Sequence, residues 1–150
     1  MTTINAAFKS DDARGRVLSN LSPHGFILDG VRCGSVEGFI QGIKLPPDDP
    51  RREETLAAHG FAAWKMRVHA KGEFVWWNGM TITYRSPEHA ALIRRAIEAK
   101  FAQNPDALEA LKATRGLTII HETGHPESPT TTLPAVVYCE ILTTIRDAAS

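Results

Sequence analysis

The chain has 150 residues, the size of a single domain, and its 43% apolar and 23% charged residues are an ordinary globular balance. Lysine plus arginine and aspartate plus glutamate both total 17, so the net charge is zero and excludes a long-range attraction to nucleic acid or anionic membrane. The two cysteines are too few for a disulfide framework, and neither a membrane-spanning apolar run nor a signal-peptide pattern is present. We therefore expect one cytoplasmic domain with no membrane partner and no strong affinity for nucleic acid.

The first half of the chain is predicted to contain one hairpin and three helices. Residues 1–13 are expected to be loosely held apart from Phe8. Asp29-Gly30 is a type I′ turn signal between two short apolar stretches, and Ser35 is a capping residue in front of a helical apolar spacing. The predicted elements are strands 26–28 and 31–33 and helices 35–46, 50–58 and 61–70.

The second half begins with the clearest hairpin signal, Asn78-Gly79 between two stretches rich in β-branched and aromatic residues. Ser86 followed by Pro87 is typical of the start of a helix. The predicted elements are strands 74–77, 80–84 and 117–120 and helices 86–101, 104–114 and 134–145. Together the elements predict a single α+β domain over residues 1–150, mainly helical with short β-hairpins.

The three tryptophans are expected to serve mainly in packing. Trp76 and Trp77 are neighbours on a predicted strand and must face opposite sides of it. One of them is therefore free to line a pocket and stack on a base, and Trp77 is the candidate. Trp64 is assigned to the core.

Residues 121–133 follow neither a helical nor a strand pattern. A structureless stretch of this length is uncommon in a compact domain, and such loops usually carry function or are disordered. This one contains His121, Glu122, His125 and Glu127. We interpret it as a site loop.

The start of this loop matches H-E-x-x-H, the zinc-protease pattern. That motif binds zinc because a helix places both histidines on one face. Here the pattern follows a predicted strand, contains Gly124 and runs directly into Pro126, and no obvious third ligand follows. We expect no bound metal, and a metal-dependent hydrolase through His121 and His125 is a further alternative.

A second polar pattern lies on the predicted helix 35–46. Glu37, Gln41 and Lys44 are spaced i, i+4, i+7, so they form one stripe beside the apolar face. A carboxylate, an amide and an ammonium in a row could hold a polar ligand, with Lys44 keeping Glu37 ionised. The same spacing is also that of a solvated helix face with one weak Glu–Lys relay.

Five stretches of the chain together follow a family pattern. The chain has L-S-N-L-S-P at 18–23, D-G at 29–30, S-V-E-G-F-I-Q-G-I-K at 35–44, A-K-F at 99–101 and I-L-T-T-I-R at 141–146. They resemble the F-S-N-F-x-P segment, aspartate–glycine turn, S-x-E-H-x-x-Q-x-x-K helix, A-K-F segment and terminal L-x-x-x-R of the NADAR superfamily. The resemblance covers almost the whole chain and implies a NADAR-like fold.

The resemblance implies an N-glycoside hydrolase that needs no cofactor and acts on a small-molecule ribosyl nucleotide or an ADP-ribosylated substrate. Glu37 is then the catalytic carboxylate, which suits a reaction through an oxocarbenium-like state. The ligand-binding candidates are Ser19, Asn20, Gln41, Lys44, Trp77, Tyr84, His121 and Glu127.

The chain also departs from the family pattern. Gly38 replaces the histidine after the catalytic glutamate, and the tryptophan ahead of the long helix falls near Tyr84. The family's E-x-x-x-D-x-x-W-G stretch is replaced by the sequence at 121–127. Glu122 or Glu127 could supply the missing acid, and Glu122 is the second catalytic candidate.

These departures leave a second function open. A catalytically silent module would keep a nucleotide pocket formed by Asn20, Gln41 and Lys44, while the altered loop no longer positions an acid. Release of a free base from substrate distinguishes the hydrolase from the silent module.

Overall fold

The computed structural model describes residues 2–67 and 72–150 and shows a mixed α+β domain. In chain order the elements are β1 Thr3–Asn5, α1 Ala13–Leu18, β2 Phe26–Leu28, β3 Val31–Cys33, α2 Val36–Gly42, α3 Arg52–Ala57, α4 Gly60–Lys65, β4 Phe74–Trp77, β5 Met80–Thr83, α5 Pro87–Gln103, α6 Pro105–Lys112, β6 Thr118–Ile120 and α7 Ala135–Ala148. The short strands pair only two by two, as β1–β6, β2–β3 and β4–β5. The predicted fold class, mainly helical α+β with short hairpins, is confirmed.

Both predicted hairpins form around their two-residue turns. Asp29 and Gly30 have φ angles of 48° and 80°, and Asn78 and Gly79 have φ angles of 49° and 78°. Two consecutive positive φ angles are what a type I′ turn requires, and asparagine, aspartate and glycine tolerate them best. The turn chemistry alone therefore specified both hairpins.

The N-terminal segment is ordered, so the expectation of a loose segment 1–13 was wrong. Strand β1 pairs in parallel with β6, with Ile4 opposite Ile119, and both of these side chains are buried. Phe8, the one apolar residue expected to be anchored, is 44% exposed. Helix α1 was also not predicted, because six residues carry too short a pattern to show a helical period.

Helix α2 begins as predicted and packs unusually close to α3. The Ser35 hydroxyl accepts a 2.9 Å hydrogen bond from the amide of Gly38 and caps the helix. A Cβ atom on Gly38 would lie 2.5 Å from the carbonyl oxygen of Ala58 and 2.7 Å from that of Thr55. Because residue 38 is a glycine, the backbone of α3 and of the residue after it can pack directly against α2.

Two predictions about the middle of the chain need correction. The helix predicted for 61–70 is α4, which ends at Lys65, and residues 68–70 lie outside the described residues. Trp64, assigned to the core, is 44% exposed and stacks on the equally exposed Phe61, with the ring centroids 5.5 Å apart. Arg67 lies over the Trp64 ring. The residue therefore belongs to a cationic and aromatic surface patch.

The long helix α5 supports the segment that leads into the site. Its Lys100 is buried, and the ammonium donates hydrogen bonds of 2.8 and 2.9 Å to the carbonyl oxygens of Val17 and Ser19. Burial lowers the pKa of Lys100 to about 7. These bonds fix the turn that immediately precedes Asn20. In the part of the chain that the structure describes, no helix is long and apolar enough to span a bilayer.

Candidate active site

Glu37, Gln41 and Lys44 form a hydrogen-bonded polar row along α2 and the turn that follows it. The Gln41 amide nitrogen donates to Glu37 Oε1 over 2.9 Å, and Lys44 Nζ donates to Gln41 Oε1 over 3.3 Å. Gln41 is buried, and Glu37 and Lys44 are half-buried. The row is therefore enclosed, and it is not the fully solvated helix face that the spacing alone also allowed.

The remaining side chains of α2 hold this helix in the core. Phe39, Ile40 and Ile43 are all buried, as predicted. Helix α2 has an apolar stripe in the core and an enclosed polar row beside it. Rotation of the helix would expose the apolar stripe or bury more charge, and both are unfavourable. The packing of α2 thus fixes the direction in which the polar row points.

Burial dominates the electrostatics of the polar row. Burial raises the pKa of Glu37, while the hydrogen bond from Gln41 and the charges of Lys44 and His121 oppose the rise. Burial also lowers the pKa of Lys44, and Glu37 opposes that change. The expectation that Lys44 keeps Glu37 ionised was thus incomplete, because desolvation outweighs the lysine.

His121 is brought to Glu37 from the other end of the chain. Its Nδ1 lies 2.7 Å from the carbonyl oxygen of Ala6, which is an acceptor, so Nδ1 carries a proton. Its ring stands perpendicular to that of Tyr138, with the centroids 5.3 Å apart. Tyr138 is fully buried and donates its hydroxyl proton to the carbonyl oxygen of Leu18. One side of the polar row is therefore enclosed by three residues: Ala6 after β1, His121 after β6 and Tyr138 on α7.

Asn20 and Ser19 have different roles. The amide of Glu37 donates to the carbonyl oxygen of Asn20 over 2.9 Å, so this half-buried residue lies against the start of α2. Ser19 is buried, and its hydroxyl accepts from the amide of Leu21. Since Lys100 binds its carbonyl oxygen as well, Ser19 shapes the turn that precedes Asn20. The ligand contact predicted for Ser19 stays a prediction.

The loop 121–133 is tied to the site at both ends. It starts at His121, and near its end Thr132 Oγ1 lies 2.8 Å from the hydroxyl oxygen of Tyr84. Arg85 donates to the carbonyl oxygen of Pro129 over 3.0 Å. Tyr84, one of the predicted ligand-binding residues, thus holds the loop in place through its hydroxyl group.

The two acids of this loop have other partners. Glu127 accepts a 3.0 Å hydrogen bond from the amide of Ala135 and caps the start of α7. Glu122 is exposed, and both its main-chain groups bond to the side chain of Asn5. Neither acid is among the groups that shift the pKa of Glu37. The structure therefore does not support Glu122 as the second catalytic acid or Glu127 as a ligand contact.

Trp77 was the wrong choice between the two hairpin tryptophans. It is 2% exposed, its ring meets Phe39 edge-on at 4.9 Å, and its Nε1 donates to Asp29 over 2.7 Å. Trp76, on the opposite face of the strand, is only half-buried and borders a cavity. The alternation was predicted correctly, but the sequence did not show which face is the core.

That cavity adjoins the Lys44 end of the polar row and has a volume of about 650 Å³. Among the described residues, Arg51, Lys65 and Arg67 join Lys44 as basic lining groups, with two carboxylates between them. Trp76 contributes an aromatic wall. A cavity with this balance suits an anionic group attached to a flat ring.

The H-E-x-x-H stretch does not form the helix that a zinc site of this type requires. Residues 121–125 are neither helix nor strand, and His125 is exposed. Within residues 2–67 and 72–150, no three histidine, cysteine, aspartate or glutamate side chains are grouped closely enough to hold a metal ion.

Comparison with known proteins identifies the family. Residues 14–147 match the family described as Bacteriophage protein GP30.3. The chain belongs to this family. It is 27% identical over 136 residues to an uncharacterised 17.1 kDa protein from the Gp30-rIII intergenic region of Enterobacteria phage T4, covering 87% of this chain and 89% of that one.

The fold of this GP30.3-family chain is NADAR-like. It superposes on the NMR structure of YbiA from E. coli, a NADAR-family protein, with a TM-score of 0.65. The match covers 97% of this chain and 83% of YbiA, with 22% sequence identity. This likeness shows the fold.

Two residues at the site of this GP30.3-family protein, Tyr138 and His89, are not recognisable as site residues from the sequence. Tyr138 belongs to the apolar face of α7 by its spacing from Ile141 and Leu142, which gave no functional signal. His89 lies on the first turn of α5, three residues after its cap Ser86, and is buried. A histidine so near a helix start is a weak signal, because most such positions are exposed.

Proposed function

We propose that this protein hydrolyses the N-glycosidic bond of a ribosyl nucleotide or an ADP-ribose conjugate, with Glu37 as the catalytic carboxylate. The observation that carries the proposal is the enclosed carboxyl group of Glu37, held by Gln41 and close to Lys44 and His121, on a NADAR-like fold. Carboxylates with strongly perturbed surroundings are characteristic of catalytic sites.

The reaction requires a group that stabilises positive charge at the anomeric carbon. The C–N bond breaks with its electron pair going to the base, which leaves an oxocarbenium-like sugar that an ionised Glu37 stabilises. Water then adds to the anomeric carbon, and the proton that it loses balances the charge on the departed base. Gln41 holds Oε1. Oε2 is thus the atom that would face the sugar or take a proton from the attacking water.

His121 can manage the proton that this step produces. Because Nδ1 donates to Ala6, Nε2 is the nitrogen through which the ring would exchange a proton with the site. His121 is thus a second proton-handling group beside Glu37, where the sequence led us to expect an acid of the loop.

The rest of the substrate would occupy the basic cavity next to Lys44. Phosphate oxygens suit Lys44, Arg51, Lys65 and Arg67, and an adenine ring suits Trp76. This arrangement supports a nucleotide conjugate over a simple ribosyl amine.

The direct test is Glu37→Gln, which keeps the size of the side chain and removes its charge. We expect kcat for release of the base from an ADP-ribosyl substrate to fall by about 10²–10⁴, while free ADP-ribose binds with nearly unchanged affinity. The matched control is Glu53→Gln on the exposed face of α3, which should turn over normally. A wild-type rate for Glu37→Gln would make Glu37 a structural residue.

The second candidate function is the silent nucleotide-binding module. The observation in its favour is that neither loop acid is among the groups that shift the pKa of Glu37: the main chain of Glu122 is bonded to Asn5, and the carboxylate of Glu127 caps α7. Binding of ADP-ribose without release of a base from any ADP-ribosyl substrate would identify this function. Loss of activity in chelator would instead favour the metal-dependent alternative.

A further inference from the structure

His89 contains a buried polar atom that the fold leaves unused. The residue is 1% exposed, on the first turn of α5. Its Nε2 is buried and has no hydrogen-bond partner in the described part of the chain. Buried polar atoms are nearly always bonded, so such an exception calls for an explanation.

The bonding of the other ring nitrogen defines what Nε2 can do. Nδ1 of His89 accepts a 2.9 Å hydrogen bond from the amide of Arg85, so Nδ1 carries no proton. Burial, with a smaller effect from Lys44, lowers the pKa of His89 to about 4, so the ring is neutral near pH 7. A neutral ring with a bare Nδ1 has its proton on Nε2. The unused atom is therefore a hydrogen-bond donor.

The His89 ring has one neighbour in the polar row and one that holds the site loop. Lys44, which ends the polar row, is close enough to His89 to affect its pKa. The ring lies 5.3 Å from that of Tyr84, whose hydroxyl group is bonded to Thr132 of the loop. A buried donor without an acceptor is costly, and a ligand that supplies the acceptor recovers that cost on binding.

We propose that the Nε2–H group of His89 donates a hydrogen bond to an oxygen of the bound substrate, either a ribose hydroxyl or a phosphate oxygen. The inference rests on the proposed function, because it places the substrate in the Glu37 site. A neutral donor beside the ammonium of Lys44 binds an oxygen acceptor without adding a second charge that would repel Lys44. His89 is a binding residue in this scheme, and Glu37 performs the chemistry.

Two substitutions separate this role from a structural one. In His89→Gln the amide nitrogen lies near the position of Nε2, so the donor is kept and the acceptor for Arg85 is lost. In His89→Asn the amide oxygen lies near the position of Nδ1, so the acceptor is kept and the donor is lost. We expect the Kd for ADP-ribose to rise about tenfold in His89→Asn and less than threefold in His89→Gln, which corresponds to one ordinary hydrogen bond. Thermal unfolding should show the opposite order, with His89→Gln the less stable.

A purely structural His89 gives a different result. Binding would then follow stability, with His89→Asn closer to the wild type than His89→Gln in both measurements. That outcome, or equal affinities in the two variants, overturns the proposal. Ribose 5-phosphate and inorganic phosphate, tested on the same variants, distinguish the acceptor: sensitivity to both indicates a phosphate oxygen, and sensitivity to ribose 5-phosphate alone indicates a hydroxyl.

A measurement on the wild-type protein covers the case in which a variant does not fold. The Nε2–H resonance of His89 in a ¹⁵N-labelled sample should shift downfield on saturation with ADP-ribose. An unchanged resonance, or no binding of any of the three probes at millimolar concentration, overturns the proposal.

The inference and the proposed function fail separately. Binding that depends on the His89 donor without base release would support the silent module. Base release that depends on Glu37 but not on this donor would leave the hydrolase intact.

Discussion

The amide of Glu37 donates a 2.9 Å hydrogen bond to the carbonyl oxygen of Asn20. This bond joins the two segments whose sequences most resemble the NADAR pattern, and it places Asn20 at the start of α2. Lys100 anchors Ser19, the residue before Asn20. The turn is therefore tied both to α2 and to α5.

Lys44→Ala should separate binding from turnover. Lys44 lines the basic cavity and bonds to Gln41, while Glu37 Oε1 keeps its own bond from Gln41. If Lys44 contacts a phosphate, its loss raises KM and the Kd for ADP-ribose by about tenfold or more and changes kcat much less. Lys112→Ala, which removes a surface lysine paired with Glu109, is the control for charge. A fall in kcat with unchanged KM would show that Lys44 acts on the reaction itself.

Gly38→Ala should destabilise the fold. The added Cβ atom would meet the carbonyl oxygens of Ala58 and Thr55 at 2.5 and 2.7 Å, and backbone atoms cannot move aside as a side chain can. We expect a loss of about 1–3 kcal/mol in the free energy of urea unfolding. Gly72→Ala is the control, because a Cβ atom there meets nothing within 4 Å. Equal stability of the two variants would contradict the close packing described for α2.

Arg52 and the neighbouring Arg51 should differ sharply in their effect on stability. Arg52 donates to the carbonyl oxygens of Gly42, Leu45 and Trp76 and so joins the end of α2 to β4. Its replacement by alanine should cost about 1–3 kcal/mol, since these three hydrogen bonds are lost.

The matched variant Arg51→Ala should change stability little. Arg51 is exposed and paired only with Asp49 in the described contacts, and surface pairs contribute little. Chemical unfolding of both variants measures the difference, and an equal loss would show that Arg52 is not a structural tie.

His89 should make the protein sensitive to mild acid. Its pKa is about 4 in the folded state against an ordinary value of 6.5, so between these values the unfolded chain binds more protons. Stability from this group is therefore complete above pH 6.5 and falls as the pH drops toward 4, by about 3 kcal/mol.

The control for this pH dependence is His89→Asn, which has no titrating group at that position. The difference in unfolding free energy between wild type and variant should shrink as the pH is lowered from 6.5 to 4. A constant difference over that range would mean that His89 does not titrate with a depressed pKa.

The parts of the fold that the sequence predicted correctly are those set by local chemistry. Asp29-Gly30 and Asn78-Gly79 permit the positive φ angles of their turns, and Ser35 supplies its cap within three residues of the amide that it binds. No distant contact is needed to interpret such signals. The apolar spacing likewise identified the buried face of α2.

The parts that were missed depend on distant partners. Strand β1 has only three residues, and it forms because it pairs with β6, more than 100 positions further along the chain. The core side of the second hairpin depends on Phe39 and Asp29, which contact Trp77 from other elements. His89 stands out only because Nε2 lacks a partner, a property that belongs to the folded molecule.

The pairing of β1 with β6 has a consequence for how the site is assembled. Ala6 holds the ring of His121 near Glu37, across 115 positions of sequence. Because closing so long a loop costs entropy, we expect the β1–β6 pair to form late in folding. Ile4 and Ile119 of this pair belong to the buried core, so we expect the pair to open only together with the core. Competence for chemistry would then be gained in a last step of folding and kept for as long as the core is closed.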